Sequence, residues 1–330
     1  SEMCIRDRSE IIRSVERDEG VLLFINRRGY SNYVQCTECG YVPRCRNCNV
    51  TLTYHLRSRD LRCHYCDYAE PGWQACPRCG GSKIAYIGAG TQRVEEWVSS
   101  IFPNIECRRF DRDVTRRKGK AEQVLADFAS GLAGFLVGTQ MVAKGHDFKR
   151  VGLVVVVNAD VTMNLPDFRS AERTFQILTQ VAGRAGRSEI PGRVIVQTFN
   201  PEHHSLAFVA NHDYKGFFDS EIALRRDLRY PPFTRLARVV VEARKQEDAE
   251  RGAKAFGRIA ARLAQQHGAF EVIGPARAPL AKVRNVYRWH LLIKGSKTKS
   301  LSGFIRRCLE RVRSSGNERF IVDVDPQLLM

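Results

Sequence analysis

Residues 134–160 read GFLVGTQMVAKGHDFKRVGLVVVVNAD, and residues 168–187 read FRSAERTFQILTQVAGRAGR. The apolar runs at 135–137 and 151–157 are continuous rather than alternating. That pattern predicts short strands buried on both faces, as in a parallel sheet. A loop bearing Gly and Lys, 138–147, follows the first strand. A helix follows the second and ends in two arginines, Arg184 and Arg187. Parallel sheets bind ligands in the loops beyond the carboxyl ends of their strands. Cations delivered there suit a polyphosphate. The stretch predicts one lobe of a nucleotide-driven motor.

Working outward, the α/β pattern extends both ways. Upstream lie a short charged helix (9–19) and a strand (21–25), then a strand (105–110), a basic turn (111–120) and a helix (121–129). A strand at 193–199 closes the sheet. These βα repeats predict a doubly wound lobe. So little precedes residue 21 that the lobe is expected to begin upstream of Ser1. Gly88-Ala89-Gly90-Thr91-Gln92 opens a further helix at 94–101. It is no dinucleotide fingerprint, because Arg93 stands where a third glycine belongs.

Between the first two strands lies Cys36-x2-Cys39-x5-Cys45-x2-Cys48-x14-Cys63-x2-Cys66-x9-Cys76-x2-Cys79. Each CxxC pair supplies two thiolates, so four pairs make two tetrahedral Cys4 zinc sites. Three pairings of the knuckles are open, and the ribbon-like 48–63 gap leans toward the nested one. Gly40 and Gly80 suit tight knuckle turns. His55 and His64 are read as surface residues or neighbours of the ligands. Cys4, Cys107 and Cys308 are read as packing residues. A segment this small and poor in large apolar side chains is expected to need metal in order to fold.

Tyr230-Pro231-Pro232-Phe233 marks a boundary. The order beyond it is strand (236–242), helix (246–266), strand (270–273), strand (286–293), helix (299–313) and strand (319–324), a βαββαβ arrangement. Between its middle strands a loop, 277–289, carries Arg277, Lys282, Arg284 and Arg288 beside Tyr287 and Trp289. Cations interleaved with aromatics suit phosphates and stacked bases. A solvated basic face with Trp289 in the core fits the same residues.

A formal net charge of +17 and a pI near 9.7 point to a polyanionic partner, nucleic acid before membrane. No run approaches the roughly 20 apolar residues of a membrane span. Residues 1–20 show no apolar signal core. Together these give a cytoplasmic reading.

The cysteine block set in a motor lobe, followed by GTQMVAKGHDF (138–148), DFRSAER (167–173) and QVAGRAGR (180–187), resembles the C-terminal half of the PriA family of primosomal (protein N′) replication-restart helicases. The resemblance runs from about Val21 to near the C-terminus. It implies the second RecA-like lobe of a 3′-to-5′ DNA helicase with an inserted two-zinc module, then an S10-like, DNA-binding βαββαβ domain. The segments would be 1–32 (start of the lobe), 33–84 (zinc module), 85–230 (rest of the lobe) and 231–330 (C-terminal domain). It further implies DNA contacts at Thr139 and Gln140, and nucleotide contacts at Gly145, Asp147, Gln180, Arg184 and Arg187. The two arginines would be catalytic, reaching the ATP phosphates. In the C-terminal domain Arg284, Arg288 and Trp289 are the candidate DNA contacts. The family pairing is nested, with Cys36, Cys39, Cys76 and Cys79 at one zinc and Cys45, Cys48, Cys63 and Cys66 at the other.

ATP with Mg²⁺ belongs to the intact protein, because the chain contains neither GxxxxGK[ST] nor DExH. The implied partners are single-stranded and branched DNA and replication-restart proteins of the primosome, with single-stranded-DNA-binding protein a candidate. The rival class is a non-catalytic zinc-containing nucleic-acid-binding module.

Overall fold

The structure is a computed structural model describing residues 5–26, 33–48, 50–55, 58–87, 91–111, 114–115, 119–142, 148–186, 191–296, 300–312 and 316–329. The chain opens with α1 (Ile5–Glu16) and β1 (Gly20–Ile25). The cysteine block contributes β2 (Tyr33–Cys36), β3 (Thr53–His55), β4 (Asp60–Arg62), β5 (Ala69–Pro71) and β6 (Ile84–Ile87). The α/β pattern resumes with α2 (Thr91–Ile101), β7 (Cys107–Phe110), α3 (Lys120–Ser130), β8 (Phe135–Gly138), β9 (Val151–Val157), α4 (Asp160–Met163), α5 (Ser170–Ala182) and β10 (Arg193–Val196). Helices α6 (His204–Ala210) and α7 (Tyr214–Asp227) fill a stretch to which the sequence pattern assigns no element. Last come β11 (Arg235–Ala243), α8 (Gln246–His267), β12 (Phe270–Val283), β13 (Val286–Gly295), α9 (Leu301–Arg311) and β14 (Glu318–Val324).

Two compact units emerge. One gathers Ser1–Gly29, Gly88–Met163 and Ala171–Tyr214; the other gathers Tyr30–Ile87, Asn164–Ser170 and Lys215–Met330.

The first unit is built on a parallel five-stranded sheet in the order β10-β9-β1-β8-β7. The three most apolar strands take the middle places and are buried along their whole length. The outermost two carry the arginines, Arg193 in β10 and Arg108 and Arg109 in β7. Arg193 is held by Glu10 at 2.7 Å and Glu19 at 2.8 Å. Ile11 from α1 and Val98 from α2 pack on Val21, Leu23, Val137, Leu153 and Val155. These are the apolar runs of the sequence, and their burial makes the sheet a fixed platform.

The second unit has an antiparallel sheet in the order β12-β13-β11-β14, covered by α8 and α9. With the chain order βαββαβ this is the split-βαβ arrangement. Strand β12 runs 14 residues, where the sequence pattern predicts four. Pro275 and Pro279 interrupt any alternation, yet β12 is an edge strand, where proline is tolerated. Its register on β13 shifts between Ile273 and Ala276 and again between Arg277 and Lys282. The expected loop 277–289 is therefore mostly paired strand. Only Arg284 and Asn285 turn the corner, both with positive φ (49° and 62°), as a two-residue hairpin of the primed type requires.

The cysteine block and the βαββαβ domain share one apolar core. Leu52, Leu61 and Tyr65 pack with Tyr230, Leu236, Leu292 and Leu329. Among the described residues no helix is long and apolar enough to cross a membrane.

Candidate metal centres and the motor-lobe edge

The four CxxC pairs fold into four copies of one turn. In each, the first cysteine's N–H donates to the carbonyl five residues on: Cys36 to Tyr41, Cys45 to Val50, Cys63 to Tyr68 and Cys76 to Gly81, at 2.8–3.0 Å. Among the described residues, Gly40, Asp67 and Gly80, each following the second cysteine of its pair, also donate back to the first cysteine's carbonyl. Those residues have φ of 72°, 61° and 74°. Glycine meets the left-handed requirement at two of them and an aspartate, which tolerates it, at the third.

The turns come together in the nested pairing: Cys36, Cys39, Cys76 and Cys79 in one cluster, Cys45, Cys48, Cys63 and Cys66 in the other. Sulfur–sulfur distances are 3.7 Å for Cys36–Cys79 and for Cys39–Cys76, and 3.6 Å for Cys45–Cys66. A tetrahedron of thiolates about 2.3 Å from zinc has edges of about 3.8 Å, whereas a disulfide would draw the sulfurs to about 2.05 Å. The clusters fit zinc, and two zinc ions are the protein's metals. They cross-link turns that have little core of their own.

Of the block's two histidines, His55 is half-buried and His64 turns fully inward. His64, expected at the surface or beside the ligands, is buried next to Cys63, and its Nδ1–H donates to the Arg277 carbonyl at 2.9 Å. His290 on β13, also buried, donates from Nε2 to the His64 carbonyl. Burial pushes these rings down, His64 to about 3 and His290 to about 4. Both are neutral, and each bond fixes its tautomer. The signal missed in the sequence is that His64 sits inside a ligand pair, between Cys63 and Cys66.

In the motor lobe, Thr139 and Gln140 follow β8 at the carboxyl edge of the sheet and are half-buried. Gln140 donates to Asn26 Oδ1 at 3.3 Å, and Asn26 Nδ2 donates to Thr162 Oγ1 at 2.5 Å. Asn158 follows β9, and its N–H donates to Gln197 Oε1, from the residue after β10, at 3.2 Å. Four amide side chains thus line the carboxyl edge, each within two residues of a strand end. Asn26, Asn158 and Gln197 are absent from the sequence-based candidates, although a polar residue closing an apolar run marks each place.

Gln180 is exposed in the last turn of α5, and Arg184 is half-buried two residues beyond it. The Gly186 N–H donates to the Val151 carbonyl, tying this end to the sheet. Gly145, Asp147 and Arg187 lie outside the described residues.

The cation–aromatic candidates divide between the two readings of the sequence. Trp289 is 5 % exposed and packs in the core of the βαββαβ domain with Ala243, Ala253 and Leu291 around it. Its position on β13 points it inward, so no base can stack on it at the hairpin surface. Arg277 and Lys282 lie over Trp289 and Tyr287 of their own hairpin. Arg288 pairs with Glu242 at 3.0 Å. Arg284 stands exposed at the tip. Cys308 is buried in the same core, Cys107 packs beside the motor-lobe core, and Cys4 is outside the described residues.

Family comparisons match three stretches of the chain. Residues 79–189 match the helicase conserved C-terminal domain, and 45–71 match the PriA DNA helicase Cys-rich region. A helicase's second lobe interrupted by a zinc ribbon is the class these features define. Residues 226–327 match the Primosomal protein N C-terminal domain. The chain is 42 % identical over 321 residues to the Replication restart protein PriA of Bacillus subtilis, covering 96 % of this chain and 40 % of that one. It is 41 % identical over 310 residues to that of Synechocystis, covering 92 % and 36 %. The chain is similar to PriA proteins along almost its whole length and spans about two-fifths of these relatives' length.

Proposed function

We propose that this chain is the C-terminal part of an ATP-dependent 3′-to-5′ DNA helicase that recognises stalled or branched forks and starts primosome assembly in the cytoplasm. In this reading 1–32 and 85–230 are the motor lobe, 33–84 the zinc module and 231–330 the DNA-binding domain. The observation that carries it is one parallel sheet bearing two motifs. The loop from Gly138 leaves the carboxyl end of β8, while the Arg184 segment is tied through Gly186 to Val151 at the opposite, amino end of β9, next but one to β8 in the sheet. A pure binding module has no need of both.

Arg184 and Arg187 would neutralise charge developing on the transferred phosphoryl group, with Gly145, Asp147 and Gln180 completing the nucleotide side. Thr139 and Gln140 would hold DNA phosphates, Gln140 being oriented by Asn26. Arg284 and Arg288 would add phosphate contacts in the C-terminal domain. Branched and single-stranded DNA, primosome proteins and single-stranded-DNA-binding protein are the proposed partners.

The test compares this chain with the same chain joined to its upstream motor lobe. The chain alone should hydrolyse no ATP above background, because the phosphate loop and the acidic Mg²⁺ motif are not in it. The joined protein should be a DNA-stimulated ATPase, and Arg187→Ala should cut its turnover by about 10³-fold, the scale of an arginine finger. Turnover indifferent to Arg187→Ala would leave the non-catalytic binding module standing.

A further inference from the structure

The DFRSAER motif has no part in the nucleotide or zinc chemistry described so far, yet its first residues are held by several side-chain contacts. Residues Asn164–Ser170 pack with the cysteine block and the βαββαβ domain, while α4 before them and α5 after them belong to the motor unit. Asp167 is 1 % exposed. Its Oδ2 accepts from the Leu329 N–H at 3.3 Å and its Oδ1 from the Arg169 N–H at 3.0 Å. The Phe168 N–H donates to Tyr65 Oη at 3.3 Å. The Phe168 ring stacks on Tyr230 with centroids 4.4 Å apart and planes 4° from parallel. The guanidinium groups of Arg169 and Arg225 lie 4.2 and 5.2 Å from the same ring.

Both aromatic partners lead to zinc ligands. Tyr65 is fully buried between Cys63 and Cys66, and Tyr230 Oη donates to the Cys48 carbonyl at 3.4 Å. A loop that merely crossed this surface would need neither a buried carboxylate nor an offset aromatic stack under two cations. The motif then continues without interruption into α5, 13 residues or about 20 Å of helix, which holds Gln180 in its last turn and ends two residues before Arg184. In the chain, therefore, the anchor immediately precedes this helix and the nucleotide arginine immediately follows it.

We propose that Asp167 and Phe168 are positioning residues that couple nucleotide-driven displacement of α5 to the zinc module and the C-terminal domain, so that ATP turnover becomes DNA unwinding. The inference rests on the motor reading given above. Rods of packed secondary structure with fixed ends are the physical means by which distant sites bias one another.

The experiment uses the intact protein, with its upstream lobe, and reads DNA-stimulated ATP turnover and base pairs unwound per ATP side by side. Phe168→Ala should keep turnover within about twofold and lower unwinding per ATP by about tenfold, the upper range of such couplings. Phe168→Tyr, which keeps the ring, should restore the ratio. An unchanged ratio in Phe168→Ala with both zinc ions retained would overturn the inference. Since that variant could fail to fold, hydrogen exchange on the wild-type protein supplies a second arm. The Phe168 and Leu329 amides, which donate into the anchor, should change protection when a non-hydrolysable ATP analogue binds. Unaltered exchange at both would also overturn it. A wild-type protein with no DNA-stimulated turnover would instead remove the motor reading.

Discussion

The two Cys4 clusters share ligand chemistry, turn geometry and sulfur spacing, and differ in what surrounds them. In the cluster of Cys45, Cys48, Cys63 and Cys66, the first three sulfur-bearing residues belong to the core that joins the cysteine block to the βαββαβ domain. In the cluster of Cys36, Cys39, Cys76 and Cys79, Cys79 is exposed and Cys39 half-buried. The first zinc is a structural member of a larger core, and the second closes the base of the module where solvent reaches it. Identical donor sets therefore need not make interchangeable sites; the apolar shell decides what each metal supports.

The largest expected effect follows from removing one ligand from each cluster. Structural zinc of this kind is worth roughly 10–16 kcal/mol of folding free energy, more than a domain's usual net stability of about 5–15 kcal/mol. Cys48→Ser should therefore unfold residues 45–71 and loosen β12 and β13, where the His64 bonds to Arg277 and His290 depend on that turn. Cys79→Ser should leave the βαββαβ domain's melting temperature nearly unchanged. Circular dichroism with hydrogen exchange checks both, and equal losses in the two variants would break the comparison.

Next in size is the shared core itself. Leu52 is fully buried in it, and Leu52→Ala should cost about 2–5 kcal/mol, as buried truncations do. The loss should be felt at Tyr230 and Leu292 as well as in the block. A loss confined to residues 33–84 would show that the two parts fold independently, as the sequence alone suggests.

A kinetic difference comes third. With a competing chelator, one zinc per chain should leave quickly, from the cluster holding exposed Cys79. The other should leave only as fast as the shared core opens. Simultaneous release of both would mean that burial does not separate the sites.

What the sequence disclosed follows from how strong its local signals are. The run 151–157 matches β9 residue for residue, because only a central parallel strand buries seven apolar residues in succession. The cysteine spacing announced two metal sites, while the nested pairing came from the family resemblance. The length of β12 was hidden, since its prolines and small residues carry no period and its pairing is imposed by β13. Helix α7 buries only Phe217 and Glu221, too thin a stripe for periodicity to reveal. Trp289 could be read either way, because an aromatic between cations looks the same whether its ring faces a base or a core. Burial of His64 and the Asp167–Phe168 anchor depend on residues more than 60 positions away, which no local pattern records.

The smallest effect concerns the hairpin tip, and it sharpens the contrast between the zinc sites. Arg284 is exposed, whereas Arg277, Lys282 and Arg288 are occupied by Trp289, Tyr287 and Glu242 of the same domain. It is therefore the cation of this hairpin best placed for a DNA phosphate. Binding to single-stranded DNA should fall with salt at about −0.7 in log–log slope per phosphate neutralised. Arg284→Ala should flatten that slope by about one such step. Trp289→Phe, a change inside the core, should leave the slope unaltered. Because the His64–Arg277 bond ties the hairpin to the buried zinc cluster, the Cys79→Ser protein should retain the wild-type slope, measured by titration between 50 and 200 mM salt, the range over which such dependence is read. If Cys79→Ser flattens the slope as much as Arg284→Ala does, the exposed zinc also supports the hairpin, and the division between a core-bound and a peripheral metal fails at the surface where DNA would bind.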